Sequence, residues 1–303
     1  MIRVEPECYP CFLNQVLLAC REGGAPREVT EELLRETGRV VSELSGSEVP
    51  ARVATGLHRL IKERTGNEDP FRQVKERALS GFRSLRETVR RRVFQSGDPL
   101  REALFLAGAG NMFDHGIVSR EDAERFFEEV SSTSLGRFDV EKVRDSIERA
   151  WRVGLLLDNA GEAPFDAVLA EVLRAMGKEV WLGVKGAPVI DDLTLEDAGR
   201  VGLTEEFEVI SNGSDGVGTL LEEVSPDFAG KFRESDLIIS KGQANFETLY
   251  GDVERTCFLF VVKCPVIERA TGYGYGKILL LGEESCAREG ESLTSGGYRG
   301  GNP

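Results

Sequence analysis

The pattern of apolar and polar positions divides the chain into two halves. From about residue 27 to 150, apolar residues recur at the spacing of one helix face, as Leu34, Val40, Val41 and Leu44 do after Thr30, a candidate N-cap. Further helices are predicted over 52–63, 69–94, 100–108, 120–130 and 139–152. The pattern indicates no strand here, so we predict an all-helical subdomain over residues 1–150.

The second half alternates between short apolar runs and amphipathic stretches. Strands are predicted at 154–158, 178–185, 206–211, 236–242, 257–263 and 277–281. Near-continuous apolar strands separated by helices are typical of a parallel sheet that is covered on both faces. The fold class is therefore α/β, with a mostly parallel, doubly wound sheet over residues 151–290. The Gly-rich tail, 291–303, is predicted to be disordered.

Composition narrows the class of partner. The 303 residues carry a net charge of −14, which disfavours binding to nucleic acid or to anionic membranes. No apolar run approaches the roughly 20 residues of a membrane span, and the first residues show no signal pattern. We expect a cytoplasmic protein, whose oligomeric state the sequence does not indicate. An anionic substrate would need a metal ion or local cations to offset the acidic surface.

Polar residues follow each predicted strand at its carboxyl end. Asp158 ends the first strand, Asp191 and Asp192 follow the second, and Lys241 and Lys263 lie at the ends of later strands. The carboxyl ends of parallel strands meet at one edge of the sheet, where ligands bind in such folds. We therefore predict an active site at this edge.

The residue types indicate a metal site and an anion site. Asp158, Asn159 and Asp192 offer hard oxygen donors, which suit a divalent ion such as Mg, Mn, Co or Ni. No histidine follows a strand, which argues against a zinc hydrolase. Lys241, on a Gly-flanked turn, suits a phosphate oxygen. Metal and lysine together stabilise phosphoryl transfer, so we predict a small phosphorylated substrate.

In the predicted mechanism, Asp158 or Asp192 orients the attacking water and Lys241 neutralises the developing charge. Backbone N–H groups of the turn at Ser211 would form a small anion nest. The predicted substrate contacts at this edge are Glu162, Ser211, Asn212, Gly213, Asp215, Lys241 and Asn245. Simpler interpretations exist: Asp158 and Asn159 as a helix cap, 211–216 as a loop that tolerates positive φ, and Lys241 as a solvated lysine.

Five segments, in order, resemble the damage-control phosphatases, the ARMT-like metal-dependent phosphatases also known as domain of unknown function 89. They are LLLDNAGE, VKGAPVIDD, SNGSDGVGT, SKGQANFE and KCPVI, and GAGNMFD of the helical half resembles a further family segment. The resemblance implies an α/β/α sandwich with an N-terminal helical subdomain. It also implies a metal held at Asp158, Asn159 and Asp192, with Asn111 and Asp114 reaching the site. Asp192 is favoured over Asp191 by the spacing to Thr194.

Cys8 and Cys11 resemble the Cys-x-x-Cys of the family's prokaryotic subgroup. A structural role, half of a zinc site completed by Cys20 or Cys264, and a redox role all remain open.

Two other functions compete with a phosphatase. An S-adenosylmethionine-dependent carboxyl methyltransferase usually has a Gly-rich loop after its first strand, where this chain has one glycine, Gly161. A non-catalytic metal- or ligand-binding protein would have the same polar residues at the carboxyl edge of the sheet, but it would not convert a substrate. A haloacid-dehalogenase phosphatase is disfavoured, because Ala160 stands where its second aspartate would be.

Overall fold

The computed structural model describes residues 2–111, 126–127, 129–130, 134–251 and 253–282. Its helices are α1 (Cys8–Glu22), α2 (Arg27–Ser42), α3 (Pro50–Thr65), α4 (Arg72–Ser80), α5 (Phe82–Gln95), α6 (Pro99–Gly110), α7 (Val140–Arg149), α8 (Ala163–Ala175), α9 (Leu195–Arg200), α10 (Leu203–Glu206), α11 (Pro226–Glu234), α12 (Gln243–Leu249) and α13 (Pro265–Thr271). Its strands are β1 (Leu135–Phe138), β2 (Arg152–Leu156), β3 (Glu179–Val184), β4 (Glu208–Ser211), β5 (Leu237–Lys241), β6 (Thr256–Val261) and β7 (Ile278–Leu281).

The seven strands form one sheet in the order β1-β7-β6-β5-β2-β3-β4. All neighbours are parallel except β6 and β7, so the predicted mostly parallel, doubly wound sheet is confirmed. From β2 the chain continues outward through β3 and β4, and from β5 it continues in the opposite direction through β6. The strand order therefore reverses between β2 and β5, the position at which doubly wound sheets bind ligands.

Each face of the sheet is covered by its own hydrophobic core. Helices α5 to α8 pack on one face, together with Leu155 and Ile239. Helices α1 to α4 and α11 to α13 pack on the other face, against Trp181 and Phe258. The strands are buried from both sides, which explains their near-continuous apolar sequence. The helical half thus contributes to both cores, while the predicted domain boundary at residue 150 stays a prediction.

Several predicted elements differ from the structure. The first half does contain a strand, β1, a four-residue edge strand that pairs with β7. The helix predicted over 69–94 is interrupted at Gly81 and gives α4 and α5. Asp69 precedes α4, whose N-cap is Phe71, and pairs with the buried Lys75 at 3.0 Å. Thr30 lies inside α2, where its hydroxyl donates to Pro26 O.

Two predicted segments fall wholly or mostly on residues that the structure does not describe. Most of the helix predicted at 120–130, and all of the tail 291–303, lie outside the described residues. Within the described part, no helix combines the length and apolar character that crossing a membrane requires.

Candidate active site

The loops after β2 and β3 hold the predicted metal ligands together. Asn159 forms an isolated antiparallel bridge with Asp192. Leu193 N donates to Asp158 O at 2.9 Å, and Ala160 N donates to Asp191 O at 2.8 Å. These backbone bonds fix one loop against the other, so the structure brings the three predicted metal ligands to one place beside the reversal in strand order.

The carboxylates of this cluster are crowded, and Asp158 and Asp192 are buried. Burial raises the pKa of Asp158 well above its ordinary value, and the nearby charges of Asp192 and Glu162 raise it further. Burial also raises the pKa of Asp192, although Lys185, 3.2 Å away, acts in the opposite direction. For Asp191, burial and the charge of Asp192 raise the pKa to about 7. Such mutual repulsion is relieved by a bound cation.

The loop that carries Asp191 and Asp192 is strained. Ile190 has φ +46°, a conformation that β-branched residues rarely adopt. Strain of this kind persists where the surrounding structure enforces it and is concentrated at functional sites. Here it accompanies the placement of both carboxylates on one cavity wall.

Asn111 reaches the cluster from the end of α6. Its Nδ2 group donates to Asp158 Oδ2 at 3.2 Å and also to Glu162 Oε1. Its Oδ1 atom is buried and has no hydrogen-bond partner in the described part of the chain. An unpaired buried acceptor beside a crowded carboxylate is a further oxygen that a cation can satisfy. Asp114, the other residue predicted from this segment, lies outside the described residues.

Lys241 does not occupy the position that we predicted for it. Its side chain is completely buried, and its Nζ atom donates to Glu162 Oε2 at 2.6 Å and to Asp166 Oδ1 at 2.7 Å. Both partners raise the pKa of the lysine, while burial raises the pKa of Asp166 to about 7. Lys241 does not line the cavity, so the geometry gives it and Glu162 a supporting role instead of a contact with phosphate.

Gly242 explains how the next segment passes so close to the cluster. It has φ +83°, which favours glycine, and a Cβ atom at this position would overlap the Asp158 carboxylate. The backbone after β5 therefore packs directly on the predicted metal ligand.

A cavity of about 560 Å³ opens onto the cluster. Asn111, Asp158, Asn159, Asp191 and Asp192 line one end of it. Lys263, which follows β6, lines the same cavity, and its charge acts on both Asp158 and Asp191. The cavity thus combines an oxygen-rich cluster with a cation.

The turn after β4, residues 211–216, does not line this cavity. Asn212 N donates to Val184 O at 2.8 Å, Gly213 N to Ser211 Oγ at 3.1 Å, and Ser214 N to Asn212 Oδ1 at 2.9 Å. These bonds already engage the N–H groups of the predicted anion nest, so they are not available to a substrate.

Two further predicted substrate contacts are also held by protein groups. Asp215 pairs with Lys62 at 2.9 Å and with Arg59 at 2.8 Å. Asn245 Nδ2 donates to Lys241 O at 2.7 Å, and Thr219 donates to Asn245 Oδ1 at 2.7 Å. These contacts join the loops and helices around the site.

Sequence analysis placed Lys263 at the predicted edge but assigned no role in the site to it or to Lys185, Asp166, Gln243 and Glu247. Lys185 pairs with Asp192 and donates to Gly216 O at 2.7 Å, which ties the β3 loop to the β4 loop. Gln243 accepts from Lys263 N at 2.9 Å and so fixes the start of that segment. Lys263 could have been identified in the same way as Lys241, because both are lysines at the end of a predicted strand. Asp166 lies inside α8, where the sequence pattern does not distinguish it from other helix residues.

Cys8, Cys11 and Cys264 line the same cavity, and all three are free thiols. Burial raises the pKa of Cys8 and of Cys264. No group of three or more His, Cys, Asp or Glu side chains in the described ranges is arranged to hold a metal ion. The role of Cys8 and Cys11 therefore stays open.

His58 takes no part in the cavity. It is buried in the helical half, and burial lowers its pKa to about 4, so it is neutral. His115 lies outside the described residues.

The side chains present fit a hard divalent cation. Two carboxylates, of Asp158 and Asp192, and two amides, of Asn159 and Asn111, offer only oxygen acceptors at the cluster. Such ligands suit ions like Mg²⁺ or Mn²⁺ and leave coordination positions for water and substrate. The raised carboxyl pKa values and the unpaired Asn111 Oδ1 are the features that a cation would relieve.

Glu247 also lines the cavity, and its burial can be tested by substitution. It accepts from Gln243 Nε2 at 2.9 Å and from the backbone N–H of Ala51, at the first turn of α3. Burial raises its pKa from 4.5 to about 7.

We expect Glu247→Gln to stabilise the metal-free protein at pH 8 and to change little at pH 5. A raised folded-state pKa contributes stability below the unfolded-state pKa, and this contribution is lost as the pH rises through 7. The ionised carboxylate then costs up to about 3 kcal/mol, which glutamine avoids. Thermal unfolding with a chelator at both pH values measures the difference. The exposed Glu28→Gln on α2 is the control, and an equal effect of Glu247→Gln at both pH values would contradict the expectation.

Comparison with known proteins identifies the family that this chain resembles in sequence and fold. Residues 4–279 match the family model described as the damage-control phosphatase ARMT1-like domain. A damage-control phosphatase of Pyrococcus horikoshii is 30% identical, with 92% of this chain and 98% of that protein covered. One from Archaeoglobus fulgidus is 29% identical at the same coverage, and an uncharacterized protein of Methanocaldococcus jannaschii is 31% identical, with 92% and 95% covered.

A solved structure shares the fold. The crystal structure of a DUF89 family protein from Pyrococcus horikoshii superimposes with a TM-score of 0.83 and 27% sequence identity. The match covers 93% of this chain and 100% of that one.

Proposed function

The chain belongs to the damage-control phosphatase ARMT1-like family, and from this membership we propose that it is a metal-dependent phosphatase of small phosphorylated metabolites. Two similar archaeal proteins are named damage-control phosphatases, which supports hydrolysis of phosphate esters in metabolite repair. The observation that carries the proposal is the oxygen-rich cluster at the reversal in strand order, which shares a cavity with Lys263.

In the proposed site, Asp158, Asn159 and Asp192 hold the metal, and Asn111 contributes through Asp158 or directly through Oδ1. When bound there, a divalent ion supplies positive charge for the phosphate oxygens and lowers the pKa of a bound water. Magnesium, manganese, cobalt and nickel all accept such ligands.

Lys263 and Asp191 are the side chains best placed to act on the substrate. Lys263 lines the cavity beside the cluster, so we assign to it the phosphate contact that sequence analysis gave to Lys241. Asp191 lines the same cavity next to the proposed ligand Asp192, so its carboxylate is placed to accept a proton from the attacking water. Lys241, Glu162 and Lys185 have a positioning role. Lys241 donates to Glu162, which accepts from Asn111, and Lys185 pairs with Asp192.

The proposal is tested by phosphate release from a panel of sugar phosphates and p-nitrophenyl phosphate. The chelated protein is assayed alone and after magnesium, manganese, cobalt or nickel is restored. We expect release only with metal. Release without metal, or none with any metal from protein that binds one, would contradict the proposal, and the second outcome would favour a methyltransferase or a binding protein.

A further inference from the structure

The cavity lining has two chemically different parts. The sheet edge supplies the oxygen-rich cluster and Lys263. The N-terminal helices α1, α3 and α4 supply the second part, the helical wall, whose apolar members include Phe12, Leu18, Ala51, Ala54, Phe71 and Val74. All but Leu18 are buried in the protein core. The volume of about 560 Å³ falls in the range of about 300–1,000 Å³ for pockets that enclose whole organic ligands, far more than a phosphate group fills.

The helical wall offers few partners to hydroxyl groups. Every side chain that α3, α4 and the residue before α4 contribute to the cavity is apolar. On α1 and just before it, the polar side chains Glu7, Gln15 and Glu22 also line the cavity. Glu7 accepts from Arg269 at 2.7 Å, and Gln15 donates to Cys11 Sγ at 3.3 Å. A sugar placed against α3 and α4 would lose water without replacing its hydrogen bonds, whereas an alkyl or aryl group would lose only apolar surface.

We propose that the preferred substrate is a phosphomonoester whose organic group is apolar, with its alkyl or aryl part against α1, α3 and α4. The inference rests on the proposed phosphatase activity and names the class of substrate for the same cavity. In the reaction, the bond between phosphorus and the ester oxygen breaks, water supplies the new P–O bond, and one proton of that water goes to the leaving alcohol.

The test compares hexyl phosphate with glucose 6-phosphate on the metal-loaded protein. Both are primary monoesters with six carbons, so they differ chiefly in the polarity of the organic group. We expect kcat/KM to be higher for hexyl phosphate by on the order of tenfold or more. Equal values, or a preference for the sugar phosphate, would overturn the inference while leaving the phosphatase proposal intact.

Binding distinguishes the two proposals when turnover fails. Calorimetric titration with hexylphosphonate and methylphosphonate, which are not hydrolysed, measures the contribution of the apolar chain. If neither ester is hydrolysed but hexylphosphonate binds on the order of tenfold tighter, the apolar subsite stands and the phosphatase proposal fails. If the two phosphonates bind equally or neither binds, the inference is overturned.

Substitutions on α3 and α4 test whether the preference depends on the helical wall. Ala54→Leu fills the cavity and should remove most of the preference for the hexyl compounds. Val53→Leu, one residue earlier on α3, does not line the cavity and should preserve it. Should Ala54→Leu fail to fold, Val74→Thr adds a hydroxyl of nearly the same shape and should lower the same ratio. An unchanged ratio in the folded variant would overturn the inference.

Discussion

Replacing Asp158 by asparagine is expected to lower metal-dependent phosphate release by on the order of 10³-fold or more, because the proposed site loses a metal-ligand charge. The fold should remain intact. In the metal-free protein the change should even raise the melting temperature near pH 8. The wild-type carboxylate is buried beside Asp192 and Glu162, which penalises its ionised form, and an amide of the same shape avoids that penalty.

Metal addition gives the second measurement on this variant. A ligand present at about 100 times its Kd stabilises a protein by about 2.7 kcal/mol. We expect the wild type to gain this stability with manganese, and Asp158→Asn to gain much less. Asp236→Asn is the matched control, since Asp236 accepts from Trp151 N and Arg152 N at the opposite ends of the strands. Undiminished turnover in Asp158→Asn would rule out its assignment as a ligand.

The sequence alone indicates where the candidate site lies. Strands buried on both faces are visible as apolar runs, and the polar residue that ends each run marks the carboxyl edge of the sheet. Asp158, Asn159 and Asp192 were found in this way, and the structure holds their loops together. The same signal fails for short edge strands, and β1 was missed because its four residues are only partly buried.

The direction of a side chain at a strand end could not be predicted in the same way. Lys241 is the last residue of β5, and alternation along the strand places it on the same face as Leu237 and Ile239. The start of α8 covers that face, and Glu162 and Asp166 accept hydrogen bonds from Lys241 Nζ. The ammonium group is therefore buried in an ion pair because α8 packs on the sheet, which the strand sequence alone does not show.

Sequence patterns also identify a loop without showing what its backbone binds. The turn at 211–216 has the composition of an anion nest, but Val184 O, Ser211 Oγ and Asn212 Oδ1 accept its first N–H groups. These bonds arise from side chains of the turn itself and from the neighbouring strand. Composition therefore predicted the conformation and not the availability of the donors.

Replacing Lys241 by methionine is expected to destabilise the protein by about 3–5 kcal/mol, because Glu162 and Asp166 lose the cation that both face inside the protein. Burial already raises the pKa of Asp166 to about 7, and loss of the lysine raises it further. Asp166 is therefore more easily protonated in the folded variant. The destabilisation should be small at pH 5 and should increase as the pH rises, which urea unfolding at several pH values measures.

Activity should fall in the same variant, since Glu162 also accepts from Asn111, which contacts Asp158. Lys231→Met, which removes an exposed pair with Glu208, is the matched control and should cost less than about 1 kcal/mol. Adding Asp166→Asn to Lys241→Met removes one of the unpaired carboxyls and should recover part of the lost stability. A Lys241→Met protein as stable as the wild type at pH 8 would contradict the buried network, and full activity would contradict its role in positioning Asn111.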